Sequence, residues 1–377
     1  MIISRTPFRI SFFGGGTDYP AWYRTHGGSV LATTIDKYCY LTCRYLPPFF
    51  EHRYRVVWSR IENCRTLDEI THPVVRETLR YLDIRRGVEI HHDGDLPARS
   101  GVGSSSSFTV GLLHALYALR GQMPSKAQLA RESMHIEQEL LRETVGSQDQ
   151  VLAAYGGFNH VVFSPNGEIF VRPMTLPAER IAELNEHLLL FYTGISRTAA
   201  DVALSYVQAL DRKERELRAV GQMVDEAIAI LTGGHDLGAF GKLLHESWLI
   251  KRELSAQVSP PAIEALYADA RAAGALGGKL LGAGGGGFML LFVRPAHQRA
   301  VRAALRRLLH VPFAFEALGS QIIFYDREQE YALDRAGRPA LAKRPRRAPR
   351  AAPAWPEHAS NGARAGAGHA AVIRSVP

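Results

Sequence analysis

Between Leu96 and Phe108 the chain reads LPARSGVGSSSSF, and that stretch leaves few folds open. Gly101 and Gly103 are followed at once by Ser104, Ser105, Ser106 and Ser107. A helix-period apolar run comes next: Phe108, Val110, Leu112, Leu113, Leu116 and Leu119. Upstream, Val88-Glu89-Ile90-His91-His92 reads as a strand, so the glycines and serines join a strand to a helix. Glycine lets the backbone turn with its amides exposed, and a helix starting there adds unpaired N–H groups and the positive end of its dipole. Such a turn is a cradle for phosphate. The competing reading is a flexible Gly-Ser loop whose serine caps the helix. No Gly-Lys pair is followed by Ser or Thr, which excludes a Walker loop, and Ser106 stands where a Rossmann fingerprint needs its third glycine.

The other elements follow in order. The N-terminus alternates as a strand through Phe8, Ile10 and Phe12, then breaks at Gly14-Gly15-Gly16-Thr17-Asp18, with Arg9 and Asp18 flanking the break. A β-rich segment spans Ser29 to Tyr45, and shorter strands lie near Arg55 to Trp58 and Val88 to His92. On this reading strands come first and the glycine-serine helix after them. A second helix over Ser125 to Arg142 puts Leu129, Met134, Ile136 and Leu140 on its apolar side, and Glu132, His135, Glu137 and Glu139 on its polar side. Strands near Phe158 to Phe163 and Glu168 to Val171 close the first half. The second half opens with a strand at His187 to Tyr192. Helices are expected over 199–231, 237–254 and 261–273, then a glycine-dense passage over 274–287 and a strand at Phe288 to Val293. A helix near 296–309 and short strands at 313–317 and 321–325 complete it. This interleaving without a strict βαβ rhythm predicts the α+β class.

The net charge of +8 suggests a polyanion partner until it is located. From Arg327 onward ten Lys/Arg face four Asp/Glu, so six of the eight charges sit in an Ala/Pro/Arg-rich tail that cannot build a core. The rest is almost balanced, and nucleic-acid binding is not expected. No apolar run is long enough to span a bilayer, and the start has no signal pattern. Three cysteines, Cys39, Cys43 and Cys64, have no metal-site spacing and read as reduced thiols of a cytoplasmic protein.

Phosphate held by amides calls for Mg²⁺, and Mg²⁺ takes one or two protein oxygens beside phosphate and water. Ser105 and Glu137, which precedes Asp149 by twelve residues, are the candidates; a solvated helix-face charge is the plain alternative for Glu137. Asp149, in Gly146-Ser147-Gln148-Asp149, is either a turn-former or a base for an attacking hydroxyl, with Arg9 as a cation to keep it ionised. The run from Gly282 to Gly287 contains GxGxxG but leads into a strand, so it is a connector or a backbone pressed against a ligand, and the strong strand after it favours the ligand.

Together these stretches resemble the three motifs of the GHMP small-molecule kinases, the superfamily of galactokinase, homoserine kinase and mevalonate kinase. The resemblance covers residues 1 to about 326. Pro97-Ala98-Arg99-Ser100-Gly101-Val102-Gly103-Ser104-Ser105-Ser106 is similar to the family's Pro-x-x-x-Gly-Leu-Gly-Ser-Ser-Ala, and Gly282-Ala283-Gly284-Gly285-Gly286 to its third motif. The resemblance implies an N-terminal α+β domain (1–185) with a left-handed βαβ crossover, a C-terminal ferredoxin-like domain (186–326) and a tail (327–377). It implies that Gly101, Val102, Gly103, Ser104, Ser105 and Ser106 hold ATP phosphates, that Ser105 and Glu137 bind Mg²⁺, and that Asp149 and Arg9 are catalytic. Galactokinase-like chains carry Gly-Glu-His-Thr-Asp in the first motif, where this one has Gly14-Gly15-Gly16-Thr17-Asp18. That form is similar to the D-glycero-D-manno-heptose 7-phosphate kinases and, less closely, to fucokinases. The implied reaction is phosphorylation of the anomeric hydroxyl of the heptose 7-phosphate; another sugar-1-kinase or a non-catalytic sensor is the alternative. Gly15, Gly16, Thr17, Asp18, Arg197, Gly284, Gly285 and Gly286 are then the expected substrate side. Arg197, Arg99 and Lys279 are the candidate cations for a sugar phosphate. A homodimer is left open.

Overall fold

A computed structural model describes residues 1–195, 207 and 210–326, all within one compact unit. Arg197 and the basic tail lie outside the described residues.

The first sheet is built on a long antiparallel pair, β1 (Ile2–Phe13) and β2 (Gly28–Tyr45). Phe8, Ile10 and Phe12 are fully buried, as their alternation predicts, each worth about 2–3 kcal/mol of burial. α1 (Pro20–His26) connects the two strands. Beyond β2 lie β5 (Val88–Gly94), β3 (Tyr54–Val57) and β4 (Ile61–Cys64). β3 and β5 pair in parallel, so the chain between them crosses over, through α2 (Pro73–Tyr81). The expected order, strands before any helix, is therefore corrected: α1 and α2 precede the glycine-serine loop. Both are shorter than ten residues and begin at a proline, so their periodic signal is weak.

α3 (Ser104–Leu119) follows the loop and is buried on nearly every side, as a helix apolar all round must be. α4 (Lys126–Met134) starts at Ser125, whose hydroxyl accepts from the Gln128 N–H. The expected single helix to Arg142 instead passes into a π-helical turn, His135–Leu140. α5 (Gln148–Tyr155), β6 (Phe158–Phe163) and β7 (Ile169–Pro173) complete this half, β6 pairing with the start of β2.

After α6 (Ala178–Glu186) comes the second sheet. It contains β8 (Leu188–Tyr192), β9 (Ala275–Leu280), β10 (Phe288–Val293) and β11 (Leu309–His310) in the antiparallel order β11-β8-β10-β9. Fourth-first-third-second is the order of a ferredoxin-like sheet, and the chain has the two-domain fold of the GHMP kinases. Its helices are α7 (Glu214–Thr232), α8 (Gly238–Leu254), α9 (Pro261–Ala272) and α10 (Gln298–Ala304). β9 lies inside the passage read only as glycine-dense: Gly277 and Gly278 are strand residues, and a Cβ on Gly277 would lie 1.9 Å from the Gly241 carbonyl of α8. β12 (Phe315–Glu316) and β13 (Gln321–Tyr325) return to the first sheet, on β2 and β1. No described helix is long and apolar enough to cross a membrane.

Candidate active site

Arg9 joins the glycine-serine loop and the Asp149 turn into one site. From β1 its Nε donates to Asp149 Oδ1 and its Nη2 to Asp149 Oδ2, both at 2.7 Å, a two-pronged pair. Its Nη1 donates to the Gly101 carbonyl at 2.5 Å, and its backbone N–H to the Val102 carbonyl at 3.0 Å. Arg9 is buried, whereas the Asp149 side chain keeps a quarter of its surface open. Asp149 occupies the first turn of α5, where a carboxylate suits the helix dipole. Gly103, at φ 77°, lies over the pair: a Cβ there would sit 3.1 Å from Arg9 Cγ and 3.5 Å from Asp149 Cγ.

The loop opens toward the same place. Ser107 N–H makes the first helical bond of α3, to the Gly103 carbonyl, so the amides of Ser104, Ser105 and Ser106 precede the ladder. Ser104 Oγ accepts from the Arg99 N–H and Ser107 Oγ donates to the Pro7 carbonyl, pinning the turn at both ends. Arg99 holds φ 59°, an uncommon left-handed conformation for a side-chain-bearing residue.

Glu137 is fully buried, not on a solvated polar face. The π turn widens the helix by a residue and rotates Glu137 inward beneath α3. Its carboxylate accepts from Ser106 Oγ at 2.9 Å, Thr109 Oγ1 at 2.6 Å and Gln150 Nε2. Burial pushes its pKa up to about 7. The neighbour is thus Ser106, while Ser105 is exposed on the first turn of α3. No described cluster of three His, Cys, Asp or Glu is arranged to hold a metal. One buried carboxylate beside hydroxyls at the N-terminal end of α3 nonetheless fits Mg²⁺, which takes its remaining ligands from phosphate and water.

The first glycine loop folds onto α5. Asp18, buried, accepts from the Gly16 N–H at 3.0 Å and from Gln148 Nε2 at 3.0 Å, and its carbonyl accepts from the Ser147 N–H. Burial raises the Asp18 pKa. Thr17 Oγ1 donates to the Gly14 and Ser29 carbonyls, holding the loop closed. Both side chains thus organise the loop.

The third glycine stretch, expected on the substrate side, has backbone as the closest described neighbours of its glycines. A Cβ on Gly282 would lie 2.6 Å from Gly101 Cα, and one on Gly286 would lie 2.3 Å from the Ile195 carbonyl. Gly285 N–H donates to the Val258 carbonyl, and Phe288 N–H to the Ser100 carbonyl. Gly284 packs on Val258 in the same way. The stretch buttresses the Ser100–Gly101 turn.

Of the candidate cations, Arg99 is exposed and Arg197 lies outside the described residues. Lys279 is buried, donating from Nζ to the Phe12 carbonyl at 2.8 Å; burial, with Arg9 nearby, lowers its pKa to about 7. Sequence reasoning missed Lys251 of α8, which donates to the Leu280 and Gly282 carbonyls and whose pKa burial lowers well below the usual lysine value. Its only signal was a lysine facing a glycine strand, which no spacing rule reads. Gln148 and Gln150, either side of Asp149, were also missed as contacts of Asp18 and Glu137.

The profile of the GHMP kinases N terminal domain matches residues 69–157, and that of the GHMP kinases C terminal domain matches 223–311. A D-glycero-alpha-D-manno-heptose 7-phosphate kinase from Campylobacter jejuni is 29% identical over 327 residues, 81% of this chain and 93% of that protein. An L-fucokinase/L-fucose-1-P guanylyltransferase from Bacteroides fragilis is 27% identical over 82% of this chain but only 36% of its own length. The crystal structure of a D-glycero-D-manno-heptose 1-phosphate kinase from Bacteroides thetaiotaomicron superposes with a TM-score of 0.71 at 24% identity, over 86% of this chain and all of that one, a likeness of fold.

Proposed function

The chain belongs to the GHMP kinases and is an ATP-dependent phosphotransferase acting as a sugar kinase, and on that premise we propose that its acceptor is D-glycero-D-manno-heptose 7-phosphate, phosphorylated at the anomeric hydroxyl to the 1,7-bisphosphate. The Campylobacter relative and the Gly14-Gly15-Gly16-Thr17-Asp18 loop support this sugar over galactose. The observation that carries the chemistry is the Arg9–Asp149 pair beneath Gly101 and Gly103, with a quarter of the Asp149 side chain exposed.

In this reading the amides of Ser104, Ser105 and Ser106 and the α3 dipole take the phosphates of ATP. Asp149 accepts the proton as the sugar oxygen forms its bond to the γ-phosphorus and the bond from that phosphorus to the β–γ bridging oxygen breaks, releasing ADP. Arg9 fixes the carboxylate and, through Gly101, sets its distance from the phosphate loop. Glu137 and a serine hydroxyl would hold Mg²⁺, Ser105 on the family pattern and Ser106 on the geometry found. Mg²⁺ neutralises phosphate charge when bound.

The test is ADP release from purified protein with ATP, Mg²⁺ and each of heptose 7-phosphate, fucose, galactose and mannose. Turnover confined to the heptose phosphate is expected. Faster turnover of fucose, the alternative that the Bacteroides relative favours, rejects the assignment.

A further inference from the structure

Two polar atoms beside the Arg9–Asp149 pair have no partner among the described residues. Ser11 lies two residues from Arg9 on β1, so both side chains project from the same face of the strand. Gln148 directly precedes Asp149 in the first turn of α5. Ser11 is 6% exposed and Gln148 8%, yet Ser11 Oγ and Gln148 Oε1 accept and donate nothing. Buried polar atoms are nearly always paired, so two orphans side by side call for an explanation. The side chains that carry them meet at one place. A Cβ on Gly15 would stand 3.7 Å from Ser11 Oγ and 3.8 Å from Gln148 Nε2, and would meet nothing else within 4 Å. Gly15 is also the one residue from 11 to 18 that is not buried. Gly15 is therefore the most open point of the loop, and the Ser11 and Gln148 side chains flank it.

The chemistry of the orphans selects what fits. Gln148 Nε2 is committed to Asp18, which leaves Oε1 as an acceptor that needs a hydrogen. A phosphate or carboxylate oxygen near neutral pH has none to give, whereas an alcohol does. The Ser11 hydroxyl can donate to such an alcohol or accept from it. We propose that Ser11, Gln148 and the open space at Gly15 form a hydroxyl-recognition subsite that orients a neutral polyol carbon of the acceptor beside Asp149. The inference rests on the sugar-kinase reading and adds to it two specificity-determining residues.

The test uses the full chain with the sugar that supports ADP release, comparing wild type with Ser11→Ala and Gly15→Ala. Gly15 is not in the left-handed region, and its added methyl meets its neighbours at ordinary contact distance, so both variants should fold. Removing an unpaired buried hydroxyl leaves thermal stability equal or higher. We expect each variant to raise KM for the sugar about tenfold, with KM for ATP and kcat within about twofold. Among single-deoxy analogues of that sugar, one should lose the same factor with wild type and lose nothing more with Ser11→Ala. Wild-type sugar KM in both variants overturns the subsite and leaves the kinase reading intact. A wild-type protein that neither turns over nor binds any sugar by calorimetry overturns both.

Discussion

Two glycine-bearing loops meet in this molecule and do opposite things. The loop at 97–103 lies over Arg9 and Asp149, its Gly101 carbonyl accepting from Arg9, while in the stretch at 282–287 Gly282 and Gly287 press onto the first loop's backbone. Glycine density alone reports close approach and does not say to what. What separates them is the next element: a helix whose first amides are unpaired in one case, and a fully buried strand in the other.

The sharpest way to break that contrast is to remove chemistry from the front loop without touching the buttress. Asp149→Asn should lower kcat by roughly 10³-fold with ATP affinity retained; near-wild-type turnover would reject the base. Next comes the buttress itself. Gly282→Ala puts a methyl against Gly101 at a φ of 65° and should cost about 3 kcal/mol of unfolding free energy, read by denaturant titration, together with a raised KM for ATP. If KM for ATP stays put while stability falls, the two loops are not mechanically coupled.

A smaller effect concerns the metal. The Glu137 carboxyl, near 7 when buried, must ionise to hold Mg²⁺, so Mg²⁺ affinity should rise about tenfold between pH 6 and pH 8 and then level off. Without metal the sign reverses. Because the folded carboxyl binds its proton more tightly than the unfolded one, its stabilising contribution is complete below pH 4.5 and declines as pH rises to about 7. Glu137→Gln should flatten both profiles in calorimetry and thermal melts. The smallest effect belongs to Arg99. Arg99→Gly relieves a left-handed backbone and should raise stability by about 0.5–1 kcal/mol if the residue is there only for its turn.

Much of the site was legible in the sequence because it depends on local rules. The Gly101–Ser107 turn, the strand carrying Arg9 and the placement of Asp149 all follow from periodicity and turn chemistry. The partnership of Arg9 with Asp149 followed from charge logic, though 140 residues separate them. What was hidden depends on helix phase and tertiary approach. A π turn cannot be seen in a polar-apolar pattern, so the pattern puts Glu137, the candidate metal ligand, on a polar helix face and gives no reason to pair it with Ser106 in place of Ser105. Lys251 and Lys279 satisfy backbone carbonyls, and no sequence spacing encodes a carbonyl's position.

The strand β13 pairs with β1, and the N-terminal ammonium of Met1 donates to the Asp326 carbonyl. The flank of β1 away from β2 is therefore covered by residues that follow it by more than 300 positions in the chain (Ile2 pairs with Tyr325). A nascent chain that has already left the ribosome as far as Tyr192 still exposes one flank of its opening strand. It must keep that flank from sticking to neighbours until some 130 further residues have emerged.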